Sequence, residues 1–195
     1  MTASATDNQH RCSACGRNDS EARQQVRLWV MEGDEACLSR QFIRGLRYYQ
    51  QALELAENHH LNDLQARLCR DLAYVYVHHG GSEKALALLD KALALPAIEP
   101  EVHLGLLVNR ATAQLALHNY RESMTTIRGA IDYFEEHYPG LAGASMQLVG
   151  SCSRLVKTER SLKRVVDLLD AGINPERIQI SVELARPYWL PPQKS

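Results

Sequence analysis

Small residues recur in this chain at one fixed separation. Gly33 is followed by Gly45, Ala73 by Ala85 and Ala111 by Ser123, and the members of each pair stand 12 residues apart. The flanking residues repeat with them. The first copy reads Trp29-x-x-Glu32-Gly33-x-x-Ala36 and then Gly45-x-x-x-Tyr49-x-x-Ala52. The second reads Cys69-x-x-Leu72-Ala73-x-x-Tyr76 and then Ala85-x-x-x-Leu89-x-x-Ala92; the third reads Leu107-x-x-Arg110-Ala111-x-x-Gln114 and then Ser123-x-x-x-Ile127-x-x-Ala130. Self-similarity of this kind marks one supersecondary unit used several times, each copy burying its apolar face on the next. Small side chains are required where two helix axes cross closely, because a larger one forces the axes apart and opens a void beside it.

The rest of the sequence supplies helices for these crossings. Asn18 with Glu21 reads as a capping box that opens a helix running to about Ser39. A second spans roughly 41–60, with Ile43, Leu46, Tyr49, Leu53 and Ala56 at helical spacing. Asp63 is expected to cap a third, whose Leu68, Cys69, Leu72, Ala73 and Tyr76 share a face and which Gly80-Gly81 stops. Ser82-Glu83 opens a fourth, ended by Pro96. The same construction follows at 102–118 and 120–137, closed by Pro139-Gly140, and a weaker hairpin is expected at 141–157 and 160–171, with Gly172 as its stop. Turns this short make consecutive helices antiparallel neighbours. The expected fold is therefore all-α: a solenoid of antiparallel helical hairpins, three to four repeats long, with a short C-terminal helix starting at Asn174-Pro175. Residues 1–17, polar and without helical or strand period, are expected to be a disordered leader carrying Cys12-x-x-Cys15, 18–172 the repeat domain, and 173–195 a short capping helix with a proline-rich tail.

The pattern resembles the tetratricopeptide repeat (TPR), whose signature W-x2-L-G-x2-Y, then A-x3-F, then P extends over ~34 residues. The second copy matches best, through Leu72, Ala73, Tyr76, Ala85 and Ala92, with Leu89 in the place of the usual Phe and Pro96 near the usual proline. The resemblance covers about residues 26–137. Copies are offset by 40 residues from Gly33 to Ala73 and 38 from Ala73 to Ala111, so each second helix is expected to be about one turn longer than usual. That is similar to the long-helix variant of the family, found in adaptor, motor-cargo, signalling and bacterial regulatory proteins. The resemblance implies a right-handed superhelix whose concave wall, lined by first helices, binds a peptide or helical segment of a partner protein.

On that wall fall Arg27, Val30, Met31 and Asp34; then Arg67, Arg70, Asp71, Tyr74 and His78; then Val108, Asn109 and Thr112. Arg67 and Arg70 are three apart on one face and could grip a carboxylate or peptide carbonyls beside Tyr74. The competing reading makes them ordinary solvated charges paired with Asp63 or Asp71. Some TPR proteins hold the C-terminal carboxylate of chaperones in a clamp of Lys and Asn. Here the corresponding places carry Val30, Asp34 and Gly105, and only Asn109 fits, so an internal segment or amphipathic helix is the better expected guest.

Composition excludes several other classes. With 22 basic against 23 acidic residues the formal net charge is -1, too balanced to hold nucleic-acid phosphates. No apolar run nears the ~20 residues of a membrane span, and the polar start lacks the apolar core of a signal peptide, so a cytoplasmic protein without membrane insertion is expected. The cysteine count of five is odd, which suits reduced thiols, and Cys37, Cys69 and Cys152 fall within expected helices as small apolar residues. Cys12-x-x-Cys15, with His10 close by, has the spacing of half a zinc knuckle and is the one candidate zinc site. Its second half is missing, so the pair is expected to stay unligated and no cofactor is expected. The His59-His60 and His78-His79 pairs sit at expected helix ends, facing exposed carbonyls.

No phosphate loop, H-E-x-x-H or G-x-S-x-G motif occurs, and the chain is not expected to be an enzyme. The leading function is a TPR adaptor or chaperone. A regulator or sensor acting on a transcriptional or enzymatic partner is the alternative, its effector expected on another chain, and a bacterial type III secretion chaperone is a further one. Self-association is left open. Pro187-Tyr188-Trp189-Leu190-Pro191 forms an apolar cluster expected to fold back over the last hairpin or to engage a partner.

Overall fold

The computed structural model describes residues 18–174. These residues are all-helical: α1 (Asp19–Leu38), α2 (Phe42–Asn58), α3 (Asn62–His78), α4 (Ser82–Leu93), α5 (Pro100–Ala116), α6 (Tyr120–His137) and α7 (Met146–Asp170), with a single 3-10 turn at Pro139–Leu141. Consecutive helices pack in pairs, α1 on α2, α3 on α4 and α5 on α6; each pair packs on the next, and α3 also packs on α5. The C-terminal tail, the expected helix from Pro175 to Leu184, and Cys12 and Cys15 lie outside the described residues.

The repeated small residues stand at the crossings. A Cβ added to Gly33 would lie 2.8 Å from Cε1 of Tyr49, and one added to Gly45 would lie 2.5 Å from Sγ of Cys37 and 3.1 Å from the Gly33 carbonyl oxygen. Ala73, Ala85, Ala92, Ala111 and Ala130 are fully buried at the equivalent places. Ser123 is equally buried and satisfies its hydroxyl by donating to the Ala111 carbonyl at 3.0 Å, so the polar atom itself bridges the two helices. Large residues fill the space beside each crossing: Tyr49, Leu89 and Ile127 are all inaccessible.

One turn geometry joins most of the helices. Ser39-Arg40-Gln41, His59-His60-Leu61, His79-Gly80-Gly81 and Leu117-His118-Asn119 each place the middle residue in the left-handed region, at φ 58, 53, 79 and 60°. In each the third residue donates its N–H back five positions, Gln41 to Ala36, Leu61 to Ala56, Gly81 to Tyr76 and Asn119 to Gln114, at 2.8, 2.9, 2.7 and 2.8 Å. This is the Schellman closure, which satisfies the terminal carbonyls and reverses the chain. Only Gly80 adopts the conformation without a Cβ penalty. Arg40→Gly should therefore raise stability by about 0.5–1 kcal/mol, read as an increased urea midpoint with unchanged slope.

Four expectations from the sequence need correction. The hairpin expected at 141–157 and 160–171 is one continuous 25-residue helix, α7. Thr158-Glu159 contains no glycine or proline, Thr158 Oγ1 donates to the Arg154 carbonyl at 2.8 Å inside the helix, and Leu148, Leu155, Leu162 and Val166 make one unbroken buried stripe. Asp63 does not occupy the cap position of α3, which is Leu61; its carboxylate takes Arg23 of α1 at 2.8 Å, and that contact holds it below its ordinary pKa. The long period is not uniformly a longer second helix either: α4 has only 12 residues, and the extra length of that copy lies in the connection from Ala94 to Glu99. Three of the four helix-end histidines, finally, meet side chains: His59 Nδ1 lies 2.8 Å from Asp19, His79 packs on Phe42 and His78 on Tyr74, each ring pair at 4.2 Å.

Candidate functional site

Because α1, α3 and α5 are the first helices of successive pairs, their faces away from α2, α4 and α6 meet at a common trough of 960 Å³. The N-terminal turns of α7 join them through Gln147, Leu148 and Ser151. Val26, Val30, Leu64, Leu68, Val102 and Val108 supply apolar lining, and Met31 is 67% exposed there. The volume lies at the upper end of the ~300–1,000 Å³ range usual for ligand sites.

The polar lining is arranged in pairs. Arg67 reaches from α3 to Glu99, immediately before α5. Arg70 Nε donates to Oδ1 of its neighbour Asp71 at 2.9 Å, and the Arg70 backbone carbonyl accepts from Asn109 Nδ2 at 2.7 Å, which ties α3 to α5. The stem of Arg70 passes over Gly105, where an added Cβ would lie 2.7 Å from Arg70 Cδ. Burial pushes the Asp71 carboxyl up in pKa, against the pull of the Arg70 guanidinium. At the α1 side, Asp34 accepts from the Tyr49 hydroxyl at 2.5 Å; burial and then this hydrogen bond push the phenol far up, so it remains a donor.

The residues singled out from the sequence divide accordingly. Arg27, Val30, Met31 and Asp34 of α1, Arg67, Arg70, Asp71 and Tyr74 of α3, and Val108 and Asn109 of α5 all line the trough. His78 and Thr112 do not: His78 lies beyond Tyr74, and Thr112 is buried with its hydroxyl donating to the Val108 carbonyl at 2.8 Å. Arg70 takes Asp71, one of the two partners anticipated for it, whereas Arg67 takes Glu99.

Sequence reasoning missed Leu64, Glu101 and Val102, although stepping back three or four positions from Arg67, Leu68 and Gly105 along the same helix faces reaches them. It also missed Gln147, Leu148 and Ser151, which no periodicity within the repeats could indicate. The three described cysteines stand outside the trough lining; burial pushes the Cys69 thiol up to about 12 and those of Cys37 and Cys152 upward as well. Among the described residues no cluster of His, Cys, Asp and Glu has the arrangement of a metal site, and no helix is long and apolar enough to cross a membrane.

No family model matches the chain, nor does any curated protein or solved structure.

Proposed function

We propose that this protein is a TPR-like scaffold, a right-handed superhelix of hairpins, that binds a segment of a partner protein in its trough and performs no reaction of its own. The observation that carries this reading is the shared trough: faces of α1, α3 and α5, contributed by three successive pairs, converge on one lining in which apolar and charged residues alternate with each other. Apolar side chains spaced along a guest segment would be buried on Val30, Leu64 and Val108, and polar pairs would fix its register. The exposed Arg67–Glu99 pair has little net energy of its own, so a guest carboxylate can replace Glu99 at small cost.

A photo-crosslinking residue at Met31 and, separately, at Arg67 tests the reading in native cells. Both positions should yield an adduct of the same mass, whereas Arg128 on α6, outside the trough, should yield none. Equal yield at Arg128, or different adducts at the two trough positions, would refute a single guest lying in the trough. With the guest in hand, Arg67→Ala should weaken affinity on the order of tenfold or more, the usual effect of losing a hydrogen bond to a charged group. Unchanged affinity would remove Arg67 from the contact surface.

A further inference from the structure

We propose that the segment Tyr188-Trp189-Leu190 of this same chain docks on Leu141, Val149, Cys152 and Val156, the apolar part of a second, shallower groove on a face of α7 outside the trough. This contact would cover the first turns of α7 and is independent of what the trough binds.

Alpha-helix α7 carries two apolar stripes. The first, Leu148, Leu155, Leu162 and Val166, is buried. The second, Val149, Cys152 and Val156, follows a spacing of three and four and is only half-buried among the described residues. With Leu141, itself 54% exposed, these residues form the apolar part of a groove of 580 Å³, whose lining Ser153, Lys157 and Arg160 complete. Beyond Arg160 the same face continues with Lys163 and Asp167, so its apolar part is confined to the N-terminal half of the helix. An apolar half-groove on an otherwise charged helix calls for a short apolar occupant of limited length.

The turn after α7 directs the chain toward it. Gly172 has φ 84°, and Ile173 donates its N–H to the Leu168 carbonyl at 3.1 Å, five positions back. This is the closure that, after α1, α2, α3 and α5, reverses the chain and starts an antiparallel helix. Asn174-Pro175 then has the form of a cap and first helical residue. The distances agree. From Asp170 back to Cys152 is 18 helical steps, ~27 Å. Trp189 follows Asn174 by 15 residues, a contour of up to ~50 Å, so the chain is long enough to return to that level. Between Pro187 and Pro191 the sequence offers Tyr188, Trp189 and Leu190, three consecutive large side chains with mainly apolar surface.

Alkylation of Cys152, followed peptide by peptide by mass spectrometry, tests the docking in the full chain. Trp189→Ala should speed modification of Cys152 on the order of tenfold, equivalent to about 1.4 kcal/mol of docking, while buried Cys37 and Cys69 keep their rates. An unchanged rate at Cys152, or a rise shared by Cys37 and Cys69, would overturn the proposal. Protection that strengthens with protein concentration would also overturn it, since it would assign the groove to the tail of a second copy. A second variant reads the other partner. In a Trp29→Phe background, which leaves Trp189 as the sole tryptophan, Val156→Glu should shift its emission to the red and raise its quenching by acrylamide. Emission already typical of solvent before that change, or insensitive to it, would place Trp189 elsewhere.

Discussion

Gly45→Val should lower the stability of the protein by about 3 kcal/mol or more, enough to move its thermal transition down by roughly 6–12 °C. The position allows no Cβ. An added methyl group would sit 2.5 Å from Cys37 Sγ and 3.1 Å from the Gly33 backbone oxygen, and the second contact cannot be relieved by rotating a side chain. The α1–α2 crossing would have to open, and Tyr49, wholly buried over Gly33, would lose its packing and strain its hydrogen bond to Asp34. Gly45→Ala separates two opposing effects. Alanine gains up to ~1 kcal/mol of helix propensity over glycine, so a net loss of about 1–2 kcal/mol would show that the steric cost exceeds that gain. Gly129 in α6 provides the calibration, since nothing lies within 4 Å of an added Cβ there and Gly129→Ala should stabilise. Combining Cys37→Ala with Gly45→Ala should recover part of the loss, because the sulfur contact disappears while the carbonyl contact stays. A Gly45→Val protein with an unchanged transition would mean that α1 and α2 do not approach as closely as described.

The small-residue pairs were readable because a close crossing leaves no sequence alternative: at Gly33 and Gly45 no side chain fits, at Ala73, Ala85 and Ala111 only a methyl group does, and Ser123 turns its hydroxyl onto the Ala111 carbonyl. The 12-residue spacing then follows from two helices and a three-residue turn, and the helix pairs with most of the trough lining follow from that. Where a residue is chosen by its surroundings rather than by backbone geometry, the sequence was silent. Arg40, His60 and His118 occupy left-handed turn positions that carry no glycine, so their turns had no local signature. Asp63 has the side chain of a cap, yet Arg23, 40 residues earlier, offers it a charged partner. His59 looked like a helix-end cation; its side chain is almost wholly buried beside Asp19 of α1, a neighbour that only the folded chain brings near. Glu99 precedes the first residue of α5, and its pairing with Arg67 depends on the irregular connection from α4, which periodicity cannot describe.

The end of the repeat region yields the sharpest contrast between pattern and structure, and Glu159→Pro exposes it. Thr158-Glu159 was the expected turn between two short helices, and proline in such a turn would be tolerated. Inside α7 it removes one backbone hydrogen bond and drives the pyrrolidine ring into the carbonyl of Leu155, four positions earlier, at a cost of about 3 kcal/mol or more. Leu155 and Leu162, both inaccessible, flank the site, so a kink there would pull one half of the stripe away from α6. Glu159 also accepts from Arg128 of α6 at 2.9 Å, and Glu159→Ala isolates that contribution, expected at about 0–1 kcal/mol because Arg128 is half exposed. The difference between the two variants, measured by urea unfolding, is the cost of breaking a continuous helix. If proline cost no more than alanine, α7 would be two helices and the fourth hairpin would be restored. A large difference leaves, among the described residues, three helix pairs followed by one long helix, whose first turns contribute Gln147, Leu148 and Ser151 to the trough and whose second, half-buried face is the one proposed to receive the tail.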